Sequence, residues 1–212
     1  MSNAQSGTRT QQQRREAMVG RLIDAAIDTI VDHGYYRTSV SAVCDRAGVS
    51  AGALFRHFDT RLSLIARVAE EVSERILAAY AAAGQHLREQ PSPLRAGLAF
   101  LADAAESPLV AVWHEMMVAA RTDDELRALI EPAIQKFYNG IHTHTAEIGL
   151  LDDVPESAHE LALFSMVHMF SGAALTGSVY PRPDLAAYRI PLAEHYATHT
   201  PDLGDLSYDI EQ

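Results

Sequence analysis

Residues 38–61, TSVSAVCDRAGVSAGALFRHFDTR, place two short helical patterns on either side of Gly48 and run at once into a third. Helices this short are marginal alone, because the cost of nucleation is spread over few hydrogen bonds. They persist only when longer neighbours pack against them. Ser39 is placed to cap the first, whose Val40, Val43, Cys44 and Ala47 form one apolar stripe. Gly48 stops it, Ser50 caps the next, and Leu54 and Phe58 point inward at i, i+4.

The flanking segments supply those neighbours. From Arg14 to His33 apolar residues recur at Val19, Leu22, Ile23, Ala26, Ile27 and Ile30, with Arg21, Asp24, Asp28 and Asp32 opposite. Gly34 is expected to end this helix in a left-handed cap. Thr60 caps a long helix through Leu64, Ile65, Val68, Val72 and Ile76 to about Gly84. Further helices are expected at 93–106, 108–121, 123–148, 155–179 and 184–199, with a Thr122/Glu125 capping box. Pro132 and Pro191 should kink or divide their helices. No strand-length alternation competes, so the fold class is all-α: an N-terminal helix-turn-helix unit, residues 1–60, and a helical C-terminal unit, residues 61–212.

Charge is distributed unevenly. The chain carries −11 overall, yet residues 1–61 hold eight arginines against six acids, a net of +2, leaving −13 for the rest. That asymmetry fits an anionic partner met by the N-terminal third alone. The N-terminus is polar and glutamine-rich and no run of about 18 apolar residues occurs, which implies a cytoplasmic chain with no membrane partner. A single cysteine excludes an intramolecular disulfide framework, and Cys44 on its apolar stripe reads as a small buried hydrophobe. The histidines His142 and His144 stand at i, i+2 on a helix and diverge, so no metal is called for, nor any cofactor. His114-Glu115 is an adjacent acid-base pair with no accompanying nucleophile motif, which leaves a small all-α enzyme or binding protein only as the rival reading.

Helix, glycine turn, helix is the plan in which the second helix lies in a DNA major groove. On a helical wheel from Ala51 to Phe58, Gly52, Ala53 and Arg56 face outward, with Phe55 and His57 on the flanks. The small residues permit close approach to base edges, and Arg56 can make a bidentate contact to guanine. Residues Gly34–Ile65 resemble the DNA-binding domain of TetR-family transcriptional regulators, through Gly34, Ser39, Ala47-Gly48-Val49-Ser50, Phe55-Arg56-His57-Phe58 and Arg61. Phe55 stands where that family usually has Tyr, Arg61 where it has Lys, and Cys44 where it has Ala. Carried onto this chain, the resemblance implies contacts to a double-stranded DNA operator from Arg14, Arg15, Ser39, Ser50, Ala51, Gly52, Ala53, Phe55, Arg56, His57 and Arg61. Arg14, Arg15, His57 and Arg61 would mainly hold phosphate.

The acidic remainder is then expected to dimerise and to bind an effector. The resemblance implies a homodimer built from the last two long helices, a repressor function, and a pocket whose ligand alters DNA affinity. Residues 161–175, LALFSMVHMFSGAAL, are apolar nearly all round and must be covered on more than one side. Phe100, Trp113, Met116, Met117, Phe137, Tyr138, His142, Met166, Met169 and Phe170 are the candidate lining of a pocket for a small apolar or aromatic ligand.

Overall fold

In the computed structural model, residues 10–200 are described. The N-terminal arm before Thr10 and the tail after Thr200 lie outside these residues. Nine α-helices are formed among them, and no strand: α1 Gln11–His33, α2 Val40–Ala47, α3 Ala51–Leu54, α4 Arg61–Arg88, α5 Pro93–Ala105, α6 Pro108–Ala120, α7 Asp124–Ile148, α8 His159–Gly177 and α9 Pro183–Thr198.

Local chemistry sets most boundaries. Thr10 and Gln13 form a reciprocal capping box at the start of α1, and Thr60 and Ser63 do the same for α4. Ser39 and Ser50 accept the amides of Ala42 and Ala53, as their positions predicted. Gly48 sits at φ 64, ψ 40, the left-handed conformation that a side chain enters at a cost of about 1–2 kcal/mol. Gly34 differs from expectation. Its φ of 78 is paired with ψ 165, a conformation open to glycine but outside the left-handed helical basin, and the chain then enters a 3-10 turn at Tyr35–Arg37.

Other boundaries depart as well. The third helix has one full turn, Ala51–Leu54, and then continues only as a turn to Phe58, whose amide still reaches the Leu54 carbonyl. Asp123, rather than Thr122, caps α7 by accepting the Leu126 amide, while the Thr122 hydroxyl points back to the Ala119 carbonyl. Neither Pro132 nor Pro191 divides its helix: α7 and α9 run through them, with both prolines exposed. An outer-face proline loses its hydrogen bond where water can satisfy the freed carbonyl.

One apolar cluster joins the short helices to the rest of the molecule. Leu22, Ile23 and Ile30 of α1, Val43 and Cys44 of α2, Leu54, Phe58, and Leu64 and Ile65 of α4 pack together. The same cluster continues through Val112 and Met116 of α6 to Leu126 and Ile130 of α7. A second cluster joins α5, α8 and α9 around Leu98, Met166, Phe170 and Ala193. Ion pairs stitch the surface between helices: Arg75 to Asp24 at 2.6 Å, Lys136 to Glu74 at 2.7 Å and Arg95 to Glu194 at 2.9 Å. These are partly exposed and worth roughly 0–1 kcal/mol each, so burial carries the fold.

Leu54 is the single fully buried side chain of α3 and is 0% exposed. Leu54→Ala is expected to cost about 2–5 kcal/mol, read by urea denaturation. A loss below about 1 kcal/mol would mean that α3 is not held by this residue.

Candidate DNA interface and effector cavity

The turn after α1 presents Tyr35 to two different helices. The Tyr35 amide donates to the Glu115 Oε2 of α6 at 3.0 Å, and that carboxylate oxygen lies 3.2 Å from where a Cβ on Gly34 would stand. A side chain at Gly34 would press on the group holding the joint, besides being strained at its positive φ. The Arg61 guanidinium, at the start of α4, lies 4.5 Å over the Tyr35 ring. It donates through Nε to the Thr38 carbonyl at 2.6 Å, through Nη2 to the Tyr35 carbonyl at 2.8 Å and through Nη1 to the Tyr35 hydroxyl at 3.2 Å. Arg61 was expected to hold phosphate. Its fork is instead turned inward on the loop that delivers α2.

The outward face of α3 matches the helical wheel. Leu54 and Phe58 are buried, whereas Gly52, Phe55 and Arg56 are exposed and Ala53 and His57 are partly so. Ser39, Ser50 and Ala51 are exposed beside them. Arg15, near the start of α1, borders the same groove as Arg56 and His57. Several other arginines are committed elsewhere: Arg46 to Asp28 and Asp32, and Arg37 to the His33 carbonyl at 2.8 Å. Arg15 and Arg56 make no hydrogen bond or ion pair among the described residues, which leaves them available to an anion. Arg14 is exposed on the same stretch of α1 and has a partner of its own. His57 keeps its Nδ1 buried without a partner among the described residues. Cys44 is buried, and burial, then Asp45 beside it, pushes its thiol up, away from the reactive thiolate.

A cavity of about 230 Å³ opens between α4, α5, α6, α7 and α8. Of the expected lining, Phe100, Trp113, Met117, Phe137, Tyr138 and Met166 are in its wall. Four others are not. Met116 is turned about 100° from Met117 and is wholly buried in the core against α1 and α4. Met169 and Phe170 pack into the α5/α8/α9 cluster, and His142 is exposed beside a separate groove with Asp152 and His159. The wall also contains groups outside the expected lining: Ile76, Leu77 and Tyr80 of α4, His114 of α6, Thr145 of α7, and His168 and Ser171 of α8. Tyr80 Oη and Thr145 Oγ1 are 2.9 Å apart, and Trp113 packs on Phe137 with ring centroids 4.8 Å apart. Burial pushes the Tyr80 and Tyr138 phenols up and the His114 imidazole down, so each favours its neutral form.

Among the described residues no group of three or more His, Cys, Asp or Glu is placed to hold a metal ion. No single helix among them is long and apolar enough to cross a membrane.

This arrangement of an exposed reading helix above an all-helical body enclosing a cavity is that of a helix-turn-helix transcriptional regulator. The family model described as bacterial regulatory proteins, tetR family, matches residues 22–68. The chain is 39% identical over 184 residues, 87% of its length and 94% of the relative's, to the uncharacterized HTH-type transcriptional regulator Rv2912c of Mycobacterium tuberculosis. It is 31% identical over 131 residues to the HTH-type transcriptional regulator CymR of Pseudomonas putida, covering 60% of this chain and 63% of that one. Its fold resembles that of the multidrug binding protein EbrR complexed with imidazole, with a TM-score of 0.64 at 18% identity over 88% of this chain and 98% of the other. The chain belongs to the TetR family of transcriptional regulators, and it is a DNA-binding regulator rather than an enzyme.

The two arginines have separable roles in this geometry. Arg61→Ala is expected to lower stability by about 2–3 kcal/mol, because charge-assisted bonds to two carbonyls are lost. Arg56→Ala should change it by less than about 0.5 kcal/mol. Equal losses on denaturation would contradict the inward assignment of Arg61.

Proposed function

We infer that the protein is a ligand-responsive repressor that acts in the cytoplasm as a two-fold homodimer on a pseudo-palindromic operator. One observation carries the ligand response: α4 and α6 each form part of both the cavity wall and the clamp on the reading unit. In α4, Ile76, Leu77 and Tyr80 line the cavity, while Arg61 at its start holds the carbonyls of Tyr35 and Thr38. In α6, Trp113, His114 and Met117 line the cavity, while Glu115 holds the Tyr35 amide. A ligand that shifts either helix shifts the seat of α2 and α3. It changes DNA affinity only by its differential affinity for the two arrangements, commonly about 1–3 kcal/mol.

On DNA, Gly52 and Ala53 let the α3 backbone approach the bases and Arg56 reads guanine. Phe55 and His57 flank the groove. Ser39, Ser50 and Ala51 lie along the helix starts, and Arg14 and Arg15 hold phosphate. The dimer reading is supported by α8 and α9. Leu161 and Leu175 of α8 are half exposed, and Leu185, Tyr188, Leu192 and Tyr196 follow one another at helical spacing along α9, with Tyr188 70% exposed. Apolar faces of this extent on a folded chain mark association surfaces. A Cβ built on Gly172 meets nothing within 4 Å, so that part of α8 is uncovered in the protomer.

Two measurements test these assignments. In a gel shift on an operator selected from random duplexes, Arg56→Ala should cost about 1–3 kcal/mol per half-site and relax preference at one symmetric position. Unchanged sequence preference would remove Arg56 from base reading. Gly172→Leu should leave the protomer's thermal unfolding intact, since open space receives the side chain, yet weaken self-association in sedimentation. A wild-type mass near the 23.2 kDa protomer at micromolar concentration would refute the dimer.

A further inference from the structure

The cavity wall restricts what can occupy it. No described residue of the wall carries a formal charge when its imidazoles are neutral. A carboxylate or ammonium drawn inside would lose its hydration with no opposite charge to replace it. The polar groups present are not equally available. Tyr80 and Thr145 already satisfy one another at 2.9 Å. His114, Tyr138, His168 and Ser171 make no hydrogen bond among the described residues, but Tyr138 and His168 pack their rings against each other and Phe164, whereas the half-buried His114 makes no ring contact. It also occupies a boundary position, because it lines both the cavity and a second, solvent-facing cleft between α1, α6 and the α8–α9 connection. That cleft offers little help to an anionic headgroup reaching past His114. Its Arg182 is engaged by both oxygens of Asp184, at 2.8 and 2.5 Å, and its remaining cation, Arg189, shares the cleft lining with Glu106 and Glu115.

We propose that the cavity takes a neutral, largely hydrocarbon ligand carrying one hydroxyl or carbonyl group, which hydrogen-bonds to His114 at the cavity mouth, and that it rejects carboxylates and amines of the same size. The proposal rests on the ligand-responsive reading above and specifies the chemistry of the same site. Burial favours the neutral imidazole, which can donate to a carbonyl or accept from a hydroxyl, so either function suits the position.

Trp113 is the sole tryptophan of the chain and stands in the wall, so its fluorescence reports occupancy directly and without DNA. The probes are 1-octanol, octanoate and octylammonium, matched in chain length, with cyclohexane as a hydrocarbon control, titrated into the full-length protein at neutral pH. The expected result is a saturable Trp113 response to 1-octanol, with octanoate and octylammonium weaker by about tenfold or more. His114→Phe should weaken 1-octanol by about tenfold while leaving cyclohexane binding unchanged, and His114→Gln should restore part of the loss. Octanoate binding as tightly as 1-octanol overturns the proposal, and its loss in Arg189→Ala would then place the headgroup in the cleft. Absence of 1-octanol binding overturns it too, as does a His114→Phe protein that binds 1-octanol like the wild type. If that variant does not fold, the wild-type comparison of the three headgroups decides alone. Binding of 1-octanol as expected, without any change in operator affinity, would leave the ligand class standing and defeat the control reading instead.

Discussion

Tyr35 is where the reading unit is tied to the body, and its ties come from both sides. Its amide is held by the Glu115 carboxylate of α6, and its ring, carbonyl and hydroxyl by the Arg61 guanidinium of α4. The short helices α2 and α3 could not hold their orientation through their own hydrogen bonds. They inherit it from Thr38 and Tyr35, whose carbonyls Arg61 fixes, and from Leu54 and Phe58 buried against α1 and α4. A charged fork bonded to two carbonyls in a partly buried site is worth more than any of the surface ion pairs between the helices. The joint is thus stiff where the reading helix needs a defined pose, yet it consists of a few bonds that a small helix displacement can lengthen.

That displacement has a natural source in α6. Successive residues on this helix face different surroundings: Trp113 and Met117 the cavity, Met116 the core against α1 and α4, and Glu115 the Tyr35 amide. Consecutive positions on the helix are separated by about 100°. Rotation or translation of α6 cannot relieve crowding at Trp113 or His114 without moving Glu115, because one rigid hydrogen-bonded cylinder carries all of them. The wholly buried Met116 limits how far the helix can move without opening a void in the core.

What sequence could foretell follows from this geometry. Caps and glycine stops are local chemistry, so Ser39, Gly48, Ser50 and Thr60 were readable directly, as was the outward face of α3. The choice between pocket and core was not. Met116 and Met117, or Met166 and Phe170, are equally apolar, and only the packing of five helices around one space decides which faces the void. Arg61 was misread for a related reason: a cation opening a helix beside a DNA-reading unit has the same sequence signature whether its fork turns outward to phosphate or inward to carbonyls 23 and 26 positions earlier. Gly34 leads into Tyr35 at φ 78, ψ 165, a glycine conformation that its spacing alone did not distinguish from a left-handed cap.

The inward turn of Arg61 also changes how the charge asymmetry should be understood. Residues 1–61 carry only +2, and Arg46, Arg37 and Arg61 spend their cationic groups on internal acceptors. Among the described residues of that unit, Arg15 and Arg56 are the arginines left without an internal partner, and both border the groove beside the exposed face of α3. Each phosphate that such a cation neutralised would add roughly 0.9 to the salt slope. The net −13 of residues 62–212 disfavours non-specific approach of a duplex to the rest of the chain. In the proposed dimer, tight binding would come from the simultaneous use of two reading helices, and so from their spacing. Under the proposed control, the α4 and α6 clamps on Tyr35 would help to set that spacing, and a ligand in the cavity would act by altering it.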